Sequence, residues 1–227
     1  DPVFHVGAKG TRKVEPRNTP TVINAIFNFR NFWDGRANNI FNGSSPWGDR
    51  DPDAGVWVKN TDGTVVKERL RLINSSVASQ AVAPPLDGFE MSCDNRPFAS
   101  VGRKLSFRQP LEHQNVHWND SVLGDLALST DGDLQNGLKT RYYRLIRESF
   151  NQKYWSYNGR GEFGAPPSSS QSHRLPYSQT EANFSMFFGL AVQMYLSTLV
   201  SDDSPFDRSA LDNNGIPTEL SESAIRG

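Results

Sequence analysis

The chain of 227 residues is poor in several residue classes, and each shortage excludes a function. It has a single cysteine, Cys93, so it holds no internal disulfide framework and no Cys-rich metal site. No histidine lies near Cys93 in sequence, and it reads as a small buried hydrophobe rather than a nucleophile. Neither charge is in excess: 24 basic and 25 acidic residues leave a formal net charge of −1. That balance lacks the electrostatic footprint of a nucleic-acid or acidic-membrane binder. No apolar run approaches the roughly 18 residues of a membrane span. The opening "DPVFHVGAKG" has no charged region followed by an apolar stretch, hence no signal peptide. The chain is expected to begin part-way into a longer protein, as a mature form or a fragment. Also missing are G-x-S-x-G, a phosphate-cradling glycine loop, H-E-x-x-H and any internal repeat.

What is present points to helices held among long ordered loops. Mean hydropathy is −0.58, and 18 Gly, 14 Pro and 11% aromatics suit loops that dock through rings. Thr19-Pro20 reads as a helix start, with Val22, Ile23, Ile26 and Phe27 on one apolar face packed on a core. Residues 38–63 have loop composition yet carry Phe41, Trp47 and Trp57. "TDGT" at 61–64 reads as a turn joining two short strands. Val65 to Val82 predicts a helix with Leu70, Ile73, Val77 and Ala81 on one face. "RPFASVGRKLSF", "NDSVLGDLAL" (capped by Asn119) and "LKTRYYRLIRESF" each suit a further helix. Residues 159–176 read as a mobile loop. Ser178 and Glu181 form an S-x-x-E capping box opening a helix of about 22 residues. Its buried side is expected to hold Phe184, Phe187, Phe188, Ala191, Met194, Tyr195 and Leu199. "SDDSPFDR" ends it. His113 and His117 stand four apart, but Pro110 and the want of a third ligand favour exposed or hydrogen-bonded histidines over a metal pair. The fold class is mainly α, with at most a small β-hairpin.

One stretch, "RNTPTVINAIFNFRNFWDGRANNIFNG" from Arg17 to Gly43, gains meaning from its order with others. Singly, Trp33 is a core residue, Asp34 and Arg36 an ion pair, and Gly35 a turn glycine. Further on come "PPLDGFEMS", "YYRLIRESF", "LVSDDSPFDR" and "ELSESAIRG". This succession resembles the bacterial di-haem cytochrome c peroxidases, a family that includes the tryptophylquinone-maturing enzyme and the rubber oxygenases. The resemblance implies a c-type cytochrome-like helical domain and two haem c groups in the parent protein. The chain itself has no C-x-x-C-H, which implies that neither haem is covalently attached to it and that the isolated chain is inactive. It is expected to be the stretch between the two attachment sites. Residues 1–176 would be the N-terminal haem-domain part with loop insertions, and 177–227 the long helix and lead-in to the second haem domain.

The same resemblance implies roles. Trp33 matches the tryptophan lying between the haems, an electron relay, since an oxidisable indole midway splits one slow tunnelling step into two. Glu90 matches the active-site glutamate, which moves a proton between peroxide oxygens; the alternative is a surface glutamate pairing locally. Asn18 matches a calcium ligand, or else caps the following turn, and His5 is a candidate axial haem ligand. Trp47 and Trp57 read as docking anchors. An electron-donor protein such as a small cytochrome or cupredoxin, hydrogen peroxide or dioxygen as oxidant, and a periplasmic or secreted location follow. Gly43 stands where the peroxidases carry a Gln, and the insert between Trp33 and Glu90 is long. A rubber-oxygenase-type dioxygenase is therefore the second reading. A haem-free binding or scaffold domain using residues 41–57 as a ligand surface is the third.

Overall fold

A computed structural model of the protein describes residues 18–92, 95–166 and 175–226, and the backbone at 5–6 and 9–10. Cys93 and residues 167–174 of the loop expected at 159–176 lie outside the described residues. The capping box forms as its spacing predicts: the Ser178 hydroxyl accepts from the Glu181 N–H at 3.3 Å, and the Glu181 carboxylate accepts from the Ser178 N–H at 2.8 Å. It starts α4 (Gln179–Ala182), and after one non-helical residue, Asn183, α5 runs over Phe184–Leu196. The interruption has a cause. The Asn183 side chain accepts from the Trp57 N–H (2.8 Å) and donates to the carbonyls of Trp57 (2.7 Å) and Tyr154 (2.8 Å). Gln179 donates to the Trp57 and Lys153 carbonyls, so two buried amides engage both main-chain groups of Trp57.

Trp57 lies on β3 (Val56–Lys59), which pairs antiparallel with β4 (Val65–Glu68) through the expected turn, where Gly63 takes φ +86°. A two-residue pair, β1 (His5–Val6) with β2 (Lys9–Gly10), completes the strands among the described residues. The helix expected over 65–82 is therefore split. Its first part is β4, because β-branched Val65 and Val66 sit opposite Lys59 and Val58, and only α1 (Ser76–Ala81) is helical. α2 (Phe98–Ser106) and α3 (Tyr142–Ser149) fall within their predicted segments, and α6 (Pro205–Arg208) and α7 (Glu222–Arg226) follow α5. "NDSVLGDLAL" gives only a 3-10 turn at Gly124–Leu126. There the Asp120 carboxylate takes the N–H groups of Val122 and Leu123, and a local turn replaces the helix.

The main core gathers Phe41, Val56, Val58, Ala78, Val82, Phe98, Ile146, Phe184, Met186 and Phe187. α5 crosses both α1 and α2, so the C-terminal helix shares its core with the earlier part of the chain. Its buried face differs from the predicted one: Phe184 and Phe187 are inside with Ser185, Met186, Gly189 and Leu196, while Met194 and Tyr195 are exposed. Two glycines permit the crossings. A Cβ on Gly189 would lie 2.8 Å from the Phe41 ring and 3.1 Å from the Ala78 carbonyl, and one on Gly102 would lie 2.6 Å from the Phe184 Cβ. Gly102→Ala is expected to lower stability by about 1–3 kcal/mol, read as a lower urea midpoint at unchanged slope.

Loop 38–55 is ordered by buried asparagines. Asn42 accepts from the Ser44 and Ser45 N–H groups and donates to the Gly48 carbonyl, and Phe41 is fully buried. Thr19-Pro20 does not open a helix. A single 3-10 turn, Ala25–Phe27, starts at Asn24 (φ 62°), whose N–H and side chain are taken by Leu199 and Ser201. Ala25 is buried there, while Val22, Ile23 and Phe27 are exposed.

Candidate functional site

The "FWDGRA" turn is closed by an antiparallel bridge between Asn31 and Ala37, with N···O distances of 3.2 and 3.3 Å. Inside it Phe32 (φ 65°) and Gly35 (φ 66°) are both left-handed. A phenylalanine in that region costs on the order of 1–3 kcal/mol, so the surroundings must hold it. They do: the Asn31 amide donates to the Ser76 hydroxyl at 3.0 Å, Ser76 donates to the Asn28 carbonyl, and the turn is tied to the start of α1.

Arg36 is the centre of the site. Its guanidinium lies 3.8 Å from the centroid of the Phe32 ring. Nη1 donates to Asp34 at 3.2 Å, and Nη2 lies 3.7 Å from Glu90 Oε1. The Arg36 and Glu90 side chains keep only 14% and 17% of their exposure, so water screens this contact less than a surface pair. Partial burial acts to raise the Asp34 carboxyl, but the Arg36 N–H and guanidinium outweigh it and hold it below the ordinary aspartate value. Glu90 is presented by a turn in which the Asp87 carboxylate accepts the N–H groups of Phe89 (2.7 Å) and Glu90 (3.3 Å). The structure thus brings together two segments more than fifty residues apart in sequence.

Flanking this contact is apolar surface left open to solvent: Trp33 is 79% exposed, Phe89 81%, and Phe29 and Met91 67% each. Arg30 lies 5.9 Å from the Phe29 ring and donates to the Gly35 carbonyl. Exposed aromatic and thioether groups beside Arg30 fit a large apolar ring system that carries a carboxylate, as haem does. Trp33 is not the core residue that a packed indole would be.

His5 lies on β1 opposite Gly10. Asn18 is exposed, and among the described residues no group of three or more His, Cys, Asp or Glu could hold a metal ion. His113 is fully exposed beside Glu112, and His117 stacks on Trp118, so the two share no helical face. Trp57 docks against Phe163, rings edge to face at 5.2 Å, whereas Trp47 is half-exposed with Arg50 over it. With Phe41 in the core, residues 41–57 do not form an aromatic ligand surface. Sequence reasoning paired Arg36 with Asp34 and missed its reach to Glu90. The adjacency of two opposite charges at the turn gave no sign of a third partner.

The family model for di-haem cytochrome c peroxidase matches residues 2–127, more than half of the chain and inclusive of both "FWDGRA" and "FEMS". The chain belongs to the di-haem cytochrome c peroxidase family. No curated protein and no solved structure matches it. α3 to α7 lie beyond the matched residues. Within this peroxidase-family chain Gly43 has φ +83° and is buried, and a Cβ there would sit 2.5 Å from Val56 Cγ1, so the position is built for glycine.

Proposed function

We propose that this chain supplies the electron-relay and proton-transfer residues of a di-haem oxidoreductase that reduces hydrogen peroxide. The observation that carries the reading is the Arg36–Glu90 contact, which sets a half-buried carboxylate beside the turn that exposes Trp33. A bound haem would supply the redox chemistry that passes electrons to the peroxide. Trp33, Phe29, Phe89 and Met91 would cover the ring system, and Arg30 would face its carboxylates; His5 would be a candidate ligand to its iron. Trp33 accepts an electron from the donor side and passes it on. Glu90 takes a proton from one peroxide oxygen and returns it to the other as the O–O bond breaks. Arg36 holds that carboxylate through its stack on Phe32. With no C-x-x-C-H in the chain, covalent attachment belongs to other parts of the parent protein, and the isolated chain is expected to be inactive. Residues 177–227 would lead toward the second haem domain. The setting is periplasmic or secreted, with a small cytochrome or cupredoxin as donor.

The test is Trp33→Phe in the haem-loaded parent protein. Donor-driven peroxide reduction is expected to fall at least about tenfold, roughly 1.4 kcal/mol in barrier, with the haem absorption bands unchanged. An unchanged rate would remove Trp33 from the electron path. A second reading, dioxygenase cleavage of an apolar substrate, is favoured by Gly43, since the site has no glutamine from that position. Dioxygen-dependent product without added peroxide would select it.

A further inference from the structure

Residues 134–147 hold Lys139, Arg141, Arg144 and Arg147 and no acid, in a chain whose net charge is −1. Arg141, Arg144 and Arg147 make no ion pair among the described residues, whereas arginines elsewhere, such as Arg36, Arg103, Arg108 and Arg208, do. Glu148 acts on Arg144 only through space. All three arginines are exposed; aromatic side chains hold Arg144 and Arg147, and a main-chain carbonyl holds Arg141. Arg147 lies 5.4 Å from the Tyr143 centroid and 5.2 Å from that of Trp155. Arg144 donates to the Tyr143 hydroxyl, Arg141 donates to the Phe107 carbonyl, and the Phe107 and Tyr143 rings are 5.5 Å apart. Phe107 itself is 66% exposed. The hydrogen bond from Arg144, with the nearby arginine charges, lowers the Tyr143 phenol from its ordinary value, as a positive local potential requires.

We propose that Arg141, Arg144 and Arg147, with Tyr143 and Phe107, form a docking surface for an acidic polypeptide. Exposed arginines interleaved with aromatics have the composition of interface hot spots. Their stacking reduces the rotamer entropy lost on binding, and guanidinium groups pair carboxylates bidentately. Three like charges held together with only Glu148 acting on them through space repel, and carboxylates from a partner relieve that repulsion. Phe107 gives the contact an apolar centre. A nucleic acid fits less well, because the cationic run is short and the chain as a whole is slightly acidic. The surface is independent of the haem reading and stands or falls separately.

The experiment measures binding of a labelled peptide of alternating glutamate and phenylalanine to the full chain by fluorescence anisotropy. Binding is expected at low salt and is weakened at about 0.15 M ionic strength. It is expected to be lost about tenfold in R144E/R147E, and in R144Q/R147Q by a smaller factor. R50E/R69E, an equal charge change elsewhere, should cost less than threefold, and the glutamine analogue of the peptide should not bind. Thermal melts check that the variants keep their fold. No binding to the wild-type chain, equal loss in R50E/R69E, or tighter binding of single-stranded DNA or anionic vesicles than of the peptide would each overturn the proposal.

Discussion

Glu90→Gln in the haem-loaded parent protein is expected to lower peroxide turnover by about 10²–10⁴-fold, the range that a positioned acid–base group contributes. The amide keeps the size of the side chain and can still face Arg36, but it cannot accept a proton from one oxygen and return it to the other. Stopped-flow decay of peroxide against a reduced donor measures the effect. Haem content and the absorption spectrum should match wild type, because the substitution removes one charge from a half-buried position and leaves the turn around Asp87 intact. Arg36→Gln should give a smaller loss of about tenfold, since Glu90 keeps its chemistry and loses its tether. A Glu90→Gln rate within twofold of wild type would make Glu90 a locally paired surface residue.

The largest loss of stability is expected from Arg103→Met. Arg103 meets Glu181 through two hydrogen bonds, 3.0 Å from Nε and 2.9 Å from Nη2, and also donates to the Leu175 and Pro176 carbonyls. Glu181 is buried, with Arg160 a further 3.7 Å partner. Removing one member leaves a buried carboxylate without its main counter-charge, at a cost of about 3–5 kcal/mol. Burial acts to raise the Glu181 carboxyl. Arg103 and the Ser178 N–H outweigh it, so the folded pKa is lowered below the ordinary value. A lowered folded pKa means stability present in full above the ordinary glutamate value and lost as pH falls through the folded one. The penalty of Arg103→Met is therefore expected to be largest at neutral pH and to shrink below about pH 4.3. Urea unfolding at neutral and acid pH reads both, and a penalty that does not change with pH would show that the pair acts through packing alone.

The parts of this fold that the sequence made legible are those governed by neighbours along the chain. The S-x-x-E box, the "TDGT" turn and the α2 and α3 segments all rest on spacings of a few residues, and they stand as read. The failures have a common physical origin in long-range bonds. Asn183 leaves the helix because its amide is used by Trp57, and Asn24 starts a turn because Leu199 and Ser201 take its polar groups. The run at 65–82 carried helical periodicity, but a partner strand claimed its first residues. At the candidate site, motif order pointed to Trp33 and Glu90 as expectations. The contact of Arg36 with Glu90 lies outside any local spacing.

The amides of Asn183 and Gln179 also settle the social behaviour of the β3–β4 hairpin. A two-stranded ribbon has an open rim on each side, and an open rim recruits strands from other molecules. On β3 that rim is filled at Trp57 by side-chain amides that supply the acceptor and the donors a third strand would bring. The β3 side of the ribbon is thereby occupied from within its own chain at Trp57. The residue at the break between α4 and α5 and the one at the start of α4 are the ones that close this edge, so helix start, helix break and strand edge form one device.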